Sequence, residues 1–202
     1  WTGSEMIVWG GGDIGTDYGA RYDPVTDTWA ATSQEGECPS PRMRHTAIWT
    51  SSEMIVWGGG TGLRTGGRYN PVTDSWQATS TGTDCPSYRM AHTAVWTGSE
   101  MIIWGGGDIG AFNTGSRYNP TSDSWVATST GSGVPDPRSG HTAIWTGSEM
   151  IIWGGGTPAG SYSTGGHYNP VSDTWYPTAT LDAPDARNMH TAVWTGSEMI
   201  VW

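Results

Sequence analysis

Lysine is absent from these 202 residues, phenylalanine occurs once and cysteine twice. No apolar run is long enough to span a bilayer. The nine basic residues are all arginine, against 19 acidic ones, so the net charge is −10. Nucleic acid and anionic membranes are excluded as expected partners, because neither would find a basic patch to meet. The opening residues do not read as a secretory leader. The chain opens on Trp1 in the middle of a repeat, which reads as a processed or excised piece of something longer. The compartment is not legible in the residues; an extracytoplasmic bacterial setting is the working expectation, with the scarcity of cysteine against it.

Cys38 and Cys85 each stand seven residues before a repeated histidine and so occupy one position in neighbouring units. A disulfide requires Cα atoms within about 7 Å, and equivalent points of adjacent units can lie farther apart. Free thiols are favoured, with a bond left open.

What the chain has in abundance is glycine, 31 residues, and tryptophan, 14. The stretch WTGSEMIIW at Trp145–Trp153 runs into Gly154, Gly155 and Gly156, and near-copies begin at Trp1, Trp49, Trp96 and Trp194. Their starts are 48, 47, 49 and 49 residues apart. A period of this size signals repeated supersecondary units that bury their faces only by stacking. Carboxylates recur in the same register, as Glu5, Glu53, Glu100, Glu149 and Glu198, and as Asp27, Asp74, Asp123 and Asp173. The acidity therefore belongs largely to the repeat and is no substrate signal.

Each unit holds four short segments of strand type. In the one opening at Arg42, His45–Trp49 is β-branched and aromatic, and Glu53–Trp57 is nearly unbroken apolar sequence, as in a strand covered on both faces. A three-residue turn joins them. The Gly triplet 58–60 ends the second strand where backbones pass closely or take positive φ. Gly66–Tyr69 is the third strand, Asn70–Asp74 a turn and Ser75–Thr79 the fourth strand. No window has helical periodicity. Four antiparallel strands in about 48 residues is the plan of a β-propeller blade. The expected units are a partial blade 1–33, blades 42–80, 89–129 and 138–180, and a closing hairpin 187–202.

The Gly run after an apolar strand, followed by Tyr, six residues and Trp (Tyr22/Trp29, Tyr69/Trp76, Tyr118/Trp125, Tyr168/Trp175), resembles the kelch repeat. So does the Arg-x-x-His opening of the first strand (Arg42/His45, Arg89/His92, Arg138/His141, Arg187/His190). The resemblance spans the chain and implies an all-β propeller of four-stranded antiparallel blades, about four repeats here. One departure is the Trp closing the second strand, where kelch repeats more often carry Phe or another apolar residue.

A residue repeated in every blade most simply serves the fold, since a catalytic group is needed once. By that test the three Trp sets pack between blades and do not stack sugars. The four strand-one histidines pack or hydrogen-bond between blades, and neither a zinc spacing nor a calcium loop is present. His167, standing where other units have Arg21, Arg68 and Arg117, reads as a tolerated substitution. No catalytic triad, metal or cofactor is singled out. Arg42, Arg89, Arg138 and Arg187 precede the innermost strand near one mouth of the central channel. They are expected to bond loop carbonyls of the neighbouring blade, or else to form a cationic ring that holds an anion.

What varies lies in loops 13–20, 61–65, 108–115 and 157–165 and in interblade loops 33–41, 80–88, 129–137 and 180–186. Alternating strand direction puts all of them on one face, where binding is expected. Tyr18, Tyr88, Phe112 and Tyr162 sit in these loops and are the candidate ligand contacts. The function expected is a non-catalytic binding module for a protein or carbohydrate. The alternatives are a kelch-type carbohydrate-active enzyme, mutarotase-like or oxidase-like, or a self-assembling structural scaffold. Five copies of strand two against four of each other strand leave closure open: part of a larger ring, a lone four-bladed ring, or a homodimer closing a larger propeller.

Overall fold

The computed structural model describes residues 1–60 and 62–202; Thr61, the first residue of variable loop 61–65, lies outside them. The first unit contributes β1 (Met6–Trp9), β2 (Gly19–Asp23) and β3 (Thr28–Ala31). Blade 42–80 contains β4 (Thr46–Trp49), β5 (Met54–Trp57), β6 (Gly66–Asn70) and β7 (Ser75–Ala78). Blade 89–129 contains β8 (Thr93–Trp96), β9 (Met101–Trp104), β10 (Gly115–Asn119) and β11 (Ser124–Ala127). Blade 138–180 contains β12 (Thr142–Trp145), β13 (Met150–Trp153), a small loop ribbon β14 (Gly156–Thr157) and β15 (Gly160–Ser161), then β16 (Gly165–Asn169) and β17 (Thr174–Pro177). The final hairpin is β18 (Ala192–Trp194) and β19 (Met199–Val201).

Every pairing between these strands is antiparallel and in the order expected: β4-β5-β6-β7, β8-β9-β10-β11 and β12-β13-β16-β17, with three strands in the first unit and two in the last. Tyr69 lies opposite Trp76, and Trp57 opposite Gly66. Strands β4, β8, β12 and β18 run side by side, which makes strand one the innermost. The protein is an all-β propeller array of about four blades. No helix occurs among the described residues, so none is long and apolar enough to cross a membrane.

Three apolar cores lie between units. Trp9 of the first unit joins Met54, Val56, Tyr69 and Trp76 of the next. Ile55 and Trp57 turn the other way, onto Met101, Ile103, Tyr118 and Trp125. Period-two alternation thus feeds both faces of strand two into cores, and all four residues of β5 are buried. Buried Trp side chains at roughly 150–250 Å² each contribute at most about 4–6 kcal/mol apiece at ~25 cal/mol/Å².

Seven of the 14 tryptophans (9, 57, 76, 104, 125, 153 and 175) are buried. Trp49, Trp96, Trp145 and Trp194 are only half-buried, and Trp1, Trp29 and Trp202 are exposed. Interblade burial therefore holds for two of the sets in the inner units. The strand-one Trp sit at blade ends, where only one ring face meets a core.

Among the described residues, hairpin 187–202 pairs with itself and no strand joins it to the first unit. Within one chain it closes nothing. Both cysteines are free and half-buried.

Candidate ligand-binding face

The repeated polar residues stitch blades together. Trp57 meets His92 edge-on at 5.5 Å and Trp125 at 5.4 Å, both from the next blade. Thr46 Oγ1 shares a 2.9 Å hydrogen bond with His92 Nε2, and the same bond links Thr93 to His141 and Thr142 to His190. Burial, reinforced by the Arg89 and Arg138 charges, pushes His92 and His141 down to about 3. They are neutral packing residues at physiological pH. Tyr69, Tyr118 and Tyr168 donate to Asp74, Asp123 and Asp173, whose Oδ1 atoms also accept from Ser33, Ser80 and Ser129 of the preceding interblade loops.

Arg42, Arg89 and Arg138 are buried. Nη1 of Arg138 donates to Gly154 O at 2.9 Å and Thr164 O at 2.7 Å, while Nε donates to Asp136 O at 3.0 Å. Arg42 reaches Gly58 and Thr65, and Arg89 reaches Gly105 and Thr114, in the same way. These carbonyls belong to the arginine's own blade and not to the neighbouring one. The side chain clamps both ends of the strand-two to strand-three loop. The interblade link is made by the backbone instead: Gly59 N donates to Arg89 O, and Gly106 N to Arg138 O, each at 2.9 Å. Gly59 has φ +78°, and a Cβ there would come within 2.5 Å of Met43 O, so only glycine fits. Arg187 is half-buried and bonds Asp185 O through Nε.

The four aromatic candidates divide. Phe112 lies over the Arg89 guanidinium at 5.0 Å, and Tyr162 over that of Arg138 at 4.6 Å. Their backbones are tied in as well, Phe112 N to Gly106 O and Tyr162 N to Gly155 O. Both are lids on buried cations. Tyr18 and Tyr88 stand free, 67% and 41% exposed. His167 takes the slot of the equivalent arginines, its Nδ1 3.5 Å from Glu149.

The variable loops carry further residues that the repeat comparison passed over. Ile14 and Ile109, at matching Asp-Ile-Gly tips, are 93% and 94% exposed. At the channel mouth Arg44, Ala91, Gly140 and Met189 follow one another around the axis. Ala91 N donates to Arg44 O, Gly140 N to Ala91 O and Met189 N to Gly140 O, a belt of bonds at 3.1, 3.2 and 2.8 Å. Arg44, Ala91 and Met189 hold φ of 54°, 53° and 52°, a left-handed backbone costly for non-glycine residues. A cavity of about 140 Å³ beside them is lined by Arg44, Met90, Asp108 and Ser139 among others. The signal was present in the sequence: the belt residues are the second, and Met90 and Ser139 the first, of the two variable positions inside the otherwise constant Arg-x-x-His. No group of three or more potential metal ligands occurs among the described residues.

Residues 67–202 match the KLHDC2/KLHL20/DRC7 Kelch-repeats domain. The chain belongs to the kelch-repeat family. Kelch-repeat domains are in general protein-interaction modules, and this propeller is an interaction module of that general kind. No curated protein matches the chain.

Proposed function

We propose that this kelch propeller binds a protein partner through its variable-loop face, around the channel mouth. The observation that carries the reading is the contrast between two populations on that face. Arg42, Arg89 and Arg138 and the buried His92 and His141 are consumed by the fold, whereas Ile14, Ile109, Tyr18, Tyr88 and Met189 extend into solvent, Ile109 beside the exposed Arg44. Exposed apolar knobs beside a charge are the anatomy of a protein contact. The adjoining cavity, at about 140 Å³, is smaller than the roughly 300–1,000 Å³ of small-molecule sites. A mutarotase-like use of the arginine ring is disfavoured, because Arg42, Arg89 and Arg138 already spend their donors on loop carbonyls.

The test is selection of peptides from a displayed library on the purified chain, followed by calorimetry. Ile109→Ser, Tyr88→Ala and Arg44→Ala are expected to weaken selected peptides at least tenfold, and Val72→Ser on the opposite face to leave them unchanged. Peptides lost by Val72→Ser and indifferent to the other three would refute the assignment.

On assembly, we infer that the two unpaired sheet edges, the inner edge of β1 and the free edge of β19, meet in a homodimer. Among the described residues, each of the two strands has a single neighbour, β2 for β1 and β18 for β19, and an unpaired edge is a template for another strand. Met6 and Val8 of β1 are exposed on the sheet face where Met54 and Val56 of β5 pack against the preceding unit, so the same end also offers an apolar face to a second copy.

A further inference from the structure

We propose that the opposite face, the one bearing the monotonous turns, carries three equivalent sites for a neutral polyhydroxylated ring such as a hexopyranose unit of a glycan. The proposal rests on repeated clefts between units, independently of the loop-face reading. Each cleft takes a Glu and an Arg from one unit and a Trp with two turns from the next: Glu5, Arg21 and Trp49; Glu53, Arg68 and Trp96; Glu100, Arg117 and Trp145. Their volumes are about 500, 460 and 570 Å³, within the range of small-molecule sites.

The fold does not use up these groups. Arginine Nη1 braces the next blade by donating to the carbonyl of Pro71, Pro120 or Pro170. The carboxylates of Glu5, Glu53 and Glu100 accept no hydrogen bond among the described residues. They approach the guanidinium only at 3.6, 4.0 and 3.6 Å. A partly exposed pair at that separation, without a hydrogen bond, contributes little to stability, yet the Glu recurs in every unit. The Trp set is likewise the one that makes no aromatic pair, packing one side on an interblade core and lining the cleft as well.

The chemistry selects the ligand. One carboxylate and one guanidinium cancel, so an anionic or a cationic ligand gains no net field. Side by side they offer acceptors and donors to adjacent hydroxyls, with charge-assisted hydrogen bonds stronger than neutral ones. A half-exposed indole and, in two clefts, Val72 or Val171 supply an apolar wall for the C–H face of a ring. Three such sites on one face bind a branched or polymeric glycan with avidity, about 10²–10⁴ above a single site.

The intact chain is tested on a printed array of neutral and sialylated glycans, then by calorimetry with the methyl glycoside of the strongest neutral hit. A neutral hit with about three sites per chain is expected. The triple variant Glu5→Gln, Glu53→Gln, Glu100→Gln changes partly exposed side chains whose contact with the fold is the long ion pair to the arginine, and it should lose at least tenfold in affinity. Trp145→Leu should remove one site of three. Ile109→Ser should change nothing, which separates this face from the loop face. No neutral hit above the triple variant, binding confined to sialylated glycans, or full affinity in the triple variant would overturn the proposal.

Discussion

His92 and Thr46 belong to different blades, and their side chains share a 2.9 Å hydrogen bond between Nε2 and Oγ1. The ring is buried and held neutral, with its protonation pushed down to about 3 by burial and by the Arg89 charge. His141 repeats the arrangement one blade on. In the unfolded chain both titrate near 6.5. Between these values the unfolded state binds the extra protons, so stability is full above about pH 6.5 and falls as pH falls toward 3. The expected slope reaches about 1.4 kcal/mol per pH unit for each histidine. Urea denaturation between pH 7.5 and 4.5 measures it, and His141→Gln should reduce the slope. A flat profile would contradict the neutral buried state.

Trp125 is buried against Trp57 of the preceding blade, and its indole N–H donates to Ser80 O at 2.9 Å. Trp125→Ala is expected to cost about 3–5 kcal/mol. The same change at Trp29, which is 55% exposed, should cost the isolated chain roughly 1 kcal/mol or less. Equal losses at the two positions would contradict the interblade assignment.

Arg138→Ala should act on the fold before it acts on any ligand. It strips donors from Gly154 O, Thr164 O and Asp136 O and removes the cation beneath Tyr162. A loss of about 3 kcal/mol is expected in urea denaturation. Tyr162→Leu, which removes only the lid, should cost about 1–2 kcal/mol. A fully stable Arg138→Ala protein would mean that the clamp contributes nothing.

Assembly is read from mass and from tryptophan accessibility. Light scattering of the homodimer should give about twice 21.6 kDa. Iodide quenching of Trp29, isolated by comparison with Trp29→Phe, should be weaker at micromolar than at nanomolar concentration. A monodisperse monomer at micromolar concentration would remove the dimer.

The sequence by itself determined the repeat, the four strands of a blade, their antiparallel order and the interblade role of His45, His92, His141 and His190. These follow from local chemistry: period-two alternation, glycines where φ must be positive, and side chains recurring in register. Tertiary structure alone decided where long or end-of-strand side chains finish. A guanidinium reaches over several ångströms of flexible stem, and the path of the loop beside it determined that Arg138 meets Gly154 and Thr164 of its own blade. The same loop path turned Phe112 and Tyr162 into lids while leaving Tyr18 and Ile109 in solvent. Recurrence in sequence cannot separate a Trp enclosed by two units from one at a blade end. Trp125 and Trp145 repeat equally well, but only the packing of adjacent blades buries the first and leaves the second lining a cleft.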